Sequence, residues 1–121
     1  MTFPESDLAM LDQLEEIEVE TQSAEGVVHR TIVWPVIRDA TVYLRSYKGP
    51  SGRWYLEALA NPSVALHLGR RRLPAHALPA SDAASVEACS AALRAKYPRS
   101  YSLDAMLADD VLPTTLKLVP E

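Results

Sequence analysis

Residues 27–68 read VVHRTIVWPVIRDATVYLRSYKGPSGRWYLEALANPSVALHL, and the pattern of this stretch predicts most of the architecture. Its first part, residues 27–38, is rich in Val, Ile and Thr and favours a β-strand. Pro35 cannot donate to a sheet ladder, so the far part of that strand is expected to be an edge or a bulge. After a turn over residues 38–41, alternation over residues 42–47 predicts a second strand and therefore an antiparallel hairpin.

The second part of the same stretch predicts a short helix and another strand. Apolar pairs at four-residue spacing favour a helix over residues 53–60. Asn61-Pro62 ends it, because the residue before a proline avoids the helical conformation. Residues 63–68 are strand-like again, and residues 75–78, bracketed by two prolines, are expected to form a further short strand.

The residues before this stretch predict a helix and a strand. Ser6 or Asp7 can cap a short helix whose leucines cover one end of the core. Strict alternation over residues 16–21 indicates a half-buried strand, with its apolar residues and Thr21 facing inward and its glutamates facing water.

The residues after it predict one long helix and a closing strand. Ser81 or Asp82 can cap the helix, Pro98 stops it, and residues 114–119 read as a strand. The apolar stripe of the helix recurs at Val86, Cys89, Leu93 and Tyr97. Five or six strands with two late helices indicate an α+β fold, in which a small antiparallel β-barrel with flanking helices forms a single domain over residues 1–121.

Composition narrows the class of partner. With a net charge of -4 and a pI near 5.3, the chain lacks the excess of Lys and Arg that nucleic-acid binding requires. Its cations gather in the middle of the sequence, which fits a small anion better than a polyanion. The acidic N-terminal region lacks the cations of a signal peptide, and no apolar run is long enough to span a bilayer. We therefore expect a cytoplasmic protein without a membrane partner.

Neither a metal site nor a common catalytic motif is predicted, so catalytic residues stay unknown. The single cysteine, Cys89, excludes an intramolecular disulfide, and its place on an apolar stripe favours a buried side chain over a nucleophile. His29, His67 and His76 lack the spacing of metal ligands. The four glycines form no nucleophile elbow, dinucleotide fingerprint or P-loop.

Cations and hydroxyls gather at the end of the second hairpin strand and in the loop after it. They are Arg45, Ser46, Lys48, Ser51 and Arg53, beside Tyr47 and Trp54. Guanidinium groups hold phosphate oxygens bidentately and lysine adds a point charge, so the group suits a phosphorylated aromatic cofactor. Ordinary alternatives stay open: an ion pair of Arg45 with a surface glutamate, simple loop polarity, and core or interface packing of Trp54.

Six short motifs follow one another over about residues 15–120. They are Glu18-x-Glu20-Thr21, His29-Arg30-Thr31, Tyr43-x-Arg45-Ser46, Gly52-Arg53-Trp54-Tyr55, Lys96-Tyr97 and Thr115-Leu116-Lys117-Leu118-Val119-Pro120. In this order they resemble the split-barrel flavin-binding superfamily of pyridoxamine phosphate oxidases and deazaflavin-dependent nitroreductases. Within it, the chain is similar to a small bacterial family, domain of unknown function 2255. Ala40 departs from the pattern, because a turn glycine would be more usual there.

This resemblance implies a split-barrel homodimer that holds two flavin or deazaflavin molecules, FMN or F420, at the subunit interface. In such proteins the phosphate is held by two neighbouring strands and the loop after them. The cofactor contacts that it implies here are Arg30, Thr31, Arg45, Ser46, Lys48, Ser51, Arg53 and Trp54.

Two functional hypotheses follow from the resemblance. The first is an FMN- or F420-dependent oxidoreductase of unknown substrate, in which the ring system carries out the hydride or electron transfer. The alternative is a non-enzymatic split-barrel dimer that binds or senses a small ligand, or an interaction module without a cofactor. Arg70-Arg71-Arg72 is either a solvated strand end or an attractor for the polyglutamate tail of a deazaflavin.

Overall fold

Seven strands and four α-helices make up the computed structural model, which describes residues 2–121. The strands are β1 (Ile17–Gln22), β2 (Val28–Val33), β3 (Val36–Arg38), β4 (Thr41–Leu44), β5 (Ser63–Leu68), β6 (Arg71–Pro79) and β7 (Leu116–Pro120). The helices are α1 (Glu5–Gln13), α2 (Arg53–Ala60), α3 (Ala83–Lys96) and α4 (Tyr101–Met106), and short 3-10 helices cover Gly49–Ser51 and Leu112–Thr114.

All seven strands pair antiparallel in one curled sheet of order β2-β1-β5-β6-β7-β4-β3. This confirms the predicted α+β split barrel. The two edge strands, β2 and β3, are consecutive in the sequence and are separated only by Trp34 and Pro35. The prediction of one strand over residues 27–38 is therefore wrong, but the expectation that its far part is an edge is confirmed, because β3 is an edge strand. Pro35 has no N–H with which to extend a ladder, and the chain passes there from one edge of the sheet to the other.

The predicted hairpin is confirmed over residues 36–44, where β3 pairs with β4 and Arg38 lies opposite Thr41. Asp39 and Ala40 between them have φ angles of 51° and 63°, typical of a two-residue type I′ turn. The second strand ends at Leu44, earlier than predicted. The Ser46 amide donates to Thr114 Oγ1 at 3.0 Å, so the backbone leaves the sheet there.

The main core lies on the inner face of the sheet. Ile17, Val19 and Thr21 of β1 are buried, as their alternation predicts. Helix α2 places Trp54 against this face, and Leu11 of α1 is fully buried at one end. The bounds of α2 and β5 match the predicted ranges, because clear local signals delimit both elements.

A second apolar cluster lies on the outer face of β3 and β4, beneath α3 and α4. Asp82 caps α3, as predicted, by accepting a hydrogen bond of 3.0 Å from the Ser85 amide. Cys89 of this helix is 1% exposed, so the prediction of a buried thiol is confirmed. Within residues 2–121, no helix has the length and apolar character needed to cross a bilayer.

Two strand boundaries differ from the prediction. Strand β6 is longer than residues 75–78 and passes through Pro74. Its pairing with β7 begins only at Ala75, so Pro74 interrupts no ladder to that neighbour. Strand β7 begins at Leu116 rather than at Thr114, because the Thr114 amide donates to Val111 O at 2.9 Å and closes a 3-10 turn.

Helix α1 begins without the predicted cap. Pro4 occupies the N-cap position and no side chain caps the helix. Asp7 is instead 3% exposed and accepts hydrogen bonds of 2.7 and 3.0 Å from Arg71, so the prediction that Ser6 or Asp7 caps α1 is wrong. The guanidinium takes the carboxylate that would otherwise bind the helix amides.

The prediction that the glutamates of β1 face water is wrong for Glu20. Its side chain is 15% exposed and contacts His67 Nε2 at 2.8 Å and Arg72 at 2.9 Å. The alternation correctly places Glu20 on the outer face. It cannot show that His67 of β5 and Arg72 of β6 lie beside Glu20 there. Arg71 and Arg72 thus each hold a carboxylate of the fold.

Candidate functional site

Two adjoining cavities lie beside edge strand β2 and share Ile32, Tyr47 and Trp54 in their linings. The first, which we name the basic cavity, has a volume of about 310 Å³. Its other lining residues are Thr31, Ser46, Lys48, Gly52 and Arg53. The second, which we name the aromatic cavity, has a volume of about 200 Å³. Its other lining residues are Glu16, Val33, Trp34, Arg45, Ser102 and Met106.

The loop between β4 and α2 shapes the basic cavity. Ser46 Oγ donates to Gly49 O at 2.7 Å, and Gly49 has a φ of 76°, which favours glycine. A Cβ atom at Gly52 would collide with the Ser46 hydroxyl, so the loop can pack this tightly only with glycine there. The compact loop brings Lys48, Arg53 and Trp54 to one side of the cavity.

A hydrogen-bonded row ties the opposite wall to α2. Arg53 donates to Thr31 Oγ1 at 3.3 Å, and one helical turn later Glu57 accepts from Thr21 Oγ1 at 2.7 Å and contacts His29 Nδ1 at 2.9 Å. Burial acts to raise the pKa of Glu57, but the hydrogen bonds with Thr21 and His29 outweigh it and hold the pKa below its usual value. The row fixes edge strand β2 against the helix.

The structure brings five of the eight sequence-predicted contact residues to the basic cavity. They are Thr31, Ser46, Lys48, Arg53 and Trp54. Arg45 lines the aromatic cavity instead. Ser51 is exposed and lines neither cavity, and Arg30 lies on the outer face of β2, where it donates to Glu18 at 2.7 Å.

Arg45 is 2% exposed and its guanidinium is tied into the fold. It donates to Thr115 Oγ1 at 2.8 Å, to Met106 O at 3.1 Å and to Val86 O at 2.8 Å. The alternative of an ion pair with a surface glutamate is therefore wrong, since the ion pairs within residues 2–121 include none with Arg45. Burial lowers its pKa.

Trp34 forms the far wall of the aromatic cavity and is held rigidly. Its ring stacks on Tyr97 at 4.0 Å between centroids, with 14° between the planes. Tyr97 donates to Glu15 O at 2.7 Å, while the Lys96 ammonium donates to Pro35 O at 2.6 Å and to Leu11 O at 2.9 Å. The Lys96-Tyr97 motif thus anchors the crossing between the two edge strands.

Sequence reasoning missed several residues of the aromatic cavity. Ser102 and Met106 belong to α4, whose polar and apolar residues show no functional pattern, and more than fifty residues separate them from Arg45. Glu16 is exposed, as predicted, but its place in the lining of this cavity was not predicted. The clusters formed by residues 2–121 include no group of three His, Cys, Asp or Glu side chains able to hold a metal ion.

A family comparison covers nearly the whole chain. The model for uncharacterized proteins conserved in bacteria, DUF2255, matches residues 7–118. The chain belongs to the DUF2255 family. This confirms the resemblance stated from the sequence motifs. No curated protein matches the chain by sequence.

Solved structures confirm the fold of this DUF2255 member. A candidate pyridoxamine 5′-phosphate oxidase from Listeria innocua aligns with a TM-score of 0.68 at 17% identity, over 96% of this chain and 91% of that one. An F420-H2 dependent reductase aligns with a TM-score of 0.62 at 17% identity, over 86% and 93%. The heme storage protein HutZ from Vibrio cholerae aligns with a TM-score of 0.71 at 13% identity, over 100% and 92%. At these identities the likeness shows a shared split barrel.

Proposed function

We propose that this protein binds a phosphorylated flavin or deazaflavin, FMN or F420, and works as an oxidoreductase with that cofactor. The observation that carries the proposal is that two cations and two aliphatic hydroxyls line the basic cavity beside the rings of Tyr47 and Trp54. An F420-H2 dependent reductase with the same fold supports it. When bound, the cofactor would supply the hydride or electron transfer.

The basic cavity has the chemistry that a phosphate needs. Lys48 and Arg53 are exposed and form no ion pair within residues 2–121. Their charges are available to an anion, and the Thr31 hydroxyl adds a hydrogen bond. Trp54 and Tyr47 line the boundary between the cavities, where they would contact a planar ring.

The other predicted contacts have different places in this proposal. Ser46 shapes the loop through its bond to Gly49 O and also lines the cavity, whereas Arg45 supports the site through buried hydrogen bonds. Ser51 lies at the exposed end of the same loop. Arg30 donates to Glu18 on the outer face of β2 and lines neither cavity.

The proposal includes a homodimer. Ile32 and Tyr47 line both cavities, yet they are 62% and 50% exposed, and Val28 on the same face of β2 as Ile32 is 51% exposed. A second copy that buried these side chains would also close the cavities and exclude water from a bound ring. Multi-angle light scattering should therefore give twice the mass of one chain.

The test is a fluorescence and absorbance titration with FMN and, separately, F420. We expect saturable binding of one of them at one site per chain. Lys48→Ala and Arg53→Ala should each weaken it at least about tenfold, because each removes a charge-assisted contact to phosphate. Arg38→Ala removes an exposed cation at the β3–β4 turn and is the charge-matched control. Equal affinities for all four proteins, or no saturable binding by a folded protein, would overturn the proposal.

Storage of a ligand without turnover is the second candidate. The residues that line the two cavities include no histidine or cysteine, the side chains that most often exchange protons near neutral pH. The reduced cofactor, bound to the protein, would then pass electrons to quinone or nitroaromatic acceptors no faster than the free cofactor does. A faster transfer would favour the oxidoreductase.

A further inference from the structure

We propose that the aromatic cavity binds a small planar carboxylate, with Arg45 as its anion-binding residue. This site adjoins the proposed cofactor site but does not depend on it, because the two cavities have different charged residues. The inference gives a ligand class to the aromatic cavity, for which phosphate binding in the basic cavity provides no role.

The charge of Arg45 is the first reason. A guanidinium that is 2% exposed has lost most of its hydration, and the ion pairs within residues 2–121 provide no carboxylate for it. Carbonyl and hydroxyl dipoles at Val86, Met106 and Thr115 compensate for part of that loss. An anion in the adjoining cavity would supply the missing opposite charge.

The remaining donors of Arg45 are the second reason. Its guanidinium has five N–H bonds in a fixed fork. Three of them donate, one from Nε and one from each terminal nitrogen. Each terminal nitrogen therefore keeps one N–H without an acceptor among residues 2–121. Arg45 lines the aromatic cavity, and the two oxygens of a carboxylate bound there can accept from these two N–H bonds.

The walls of the cavity favour a flat and small ligand. Trp34 is held in place by its stack on Tyr97, and Trp54 and Met106 provide further apolar surface. Aromatic rings and a thioether bind planar rings well. The volume of about 200 Å³ is below the roughly 300 to 1,000 Å³ of sites for drug-sized ligands, so a single-ring compound fits best.

Glu16 provides a matched perturbation. It is exposed and lines the same cavity, so its negative charge opposes an anion there. Removing that charge as Glu16→Gln should strengthen carboxylate binding about twofold to fourfold, the size expected for like charges in partly solvated surroundings. A neutral ligand should show no such gain.

The experiment follows the two indole N–H signals of the chain by NMR during titration with benzoate and, separately, with its neutral analogue benzamide. The chain contains only two tryptophans, and Trp34 lines the aromatic cavity alone while Trp54 lines both. We expect benzoate to shift both signals saturably and to bind at least about tenfold more tightly than benzamide. Inorganic phosphate should shift Trp54 alone.

Three variants complete the test. Glu16→Gln should tighten benzoate binding, Lys48→Ala should leave it within about twofold of the wild type, and Arg45→Lys should weaken it about tenfold if it folds. Equal affinity for benzoate and benzamide, or the absence of saturable shifts at Trp34, would overturn the inference. So would a loss of benzoate binding in Lys48→Ala, which would place the anion in the basic cavity. Weak FMN or F420 binding alone would overturn only the cofactor proposal.

Discussion

Glu20→Gln should destabilise the fold at neutral pH and lose that effect in acid. The Arg72 guanidinium donates two hydrogen bonds to the Glu20 carboxylate, at 3.1 and 2.9 Å. These bonds, aided by His67 and opposed by burial, lower the pKa of Glu20 from 4.5 to about 2. Glutamine keeps the shape of the side chain but carries no charge, so the variant isolates the ionic part of the contact.

The magnitude follows from the shift in pKa. A lowering from 4.5 to about 2 corresponds to about 3 kcal/mol of stability from the ionised form. Arg72 is 53% exposed, so solvent screens the pair and about 1 to 2 kcal/mol is the realistic effect at pH 7. Because the folded pKa lies below the unfolded value, this stability is fully present above about pH 4.5. It declines as the pH falls towards 2, and less than half should remain at pH 3.

Urea denaturation at pH 7, 5, 4 and 3 measures this difference for the wild type and the variant. Glu18→Gln is the control, since Glu18 lies on the same face of β1 and pairs with Arg30, but both side chains are over 40% exposed. Its effect should stay below about 1 kcal/mol. A difference for Glu20→Gln that does not change between pH 7 and pH 3 would refute the ionic explanation. An equal effect of Glu18→Gln would refute the argument that solvent screens the more exposed pair more strongly.

Two further predictions concern the β3–β4 turn and the thiol. Ala40→Gly should raise the free energy of unfolding by about 1 kcal/mol, because Ala40 has a φ of 63° that costs any residue with a Cβ. Ala91→Gly within α3 should have the opposite sign in the same denaturation assay; a loss of stability in Ala40→Gly would contradict the turn geometry. Cys89 should resist a thiol reagent at pH 8 until the protein unfolds, because burial raises its pKa to about 11, and stoichiometric labelling of the native protein would disprove this.

Elements with complete local signals could be predicted from the sequence. The helix over residues 53–60 begins after a glycine loop and ends at Asn61-Pro62, and the structure has the same bounds. The inward residues of β1 follow from alternation because a strand has two faces. The family could be identified as well, since ordered motifs along the whole chain carry more information than any single one.

Pairings between distant residues could not be predicted. The acceptors of Arg45 lie at Val86, Met106 and Thr115, far from it in the sequence. The local sequence around Arg45 therefore resembles that of an exposed cation. Asp7 has the residue type and position of a helix cap, but it is taken by Arg71. Which hydrogen-bond partner a side chain takes depends on distant residues that compete for it, and local sequence patterns do not describe this competition.

The place of β7 in the sheet constrains how the chain reaches its native state. On one side of β7 lie β6, β5, β1 and β2, and on the other lie β4 and β3. Leu44 of β4 pairs with Leu116 of β7, so the β3–β4 hairpin must wait for a partner that is far along the sequence. Closing so long a loop is slow, and until then the backbone groups of β4 and β6 that face β7 are unpaired. On the ribosome, these two strands therefore present unpaired backbone groups, which a chaperone can cover until β7 has been made.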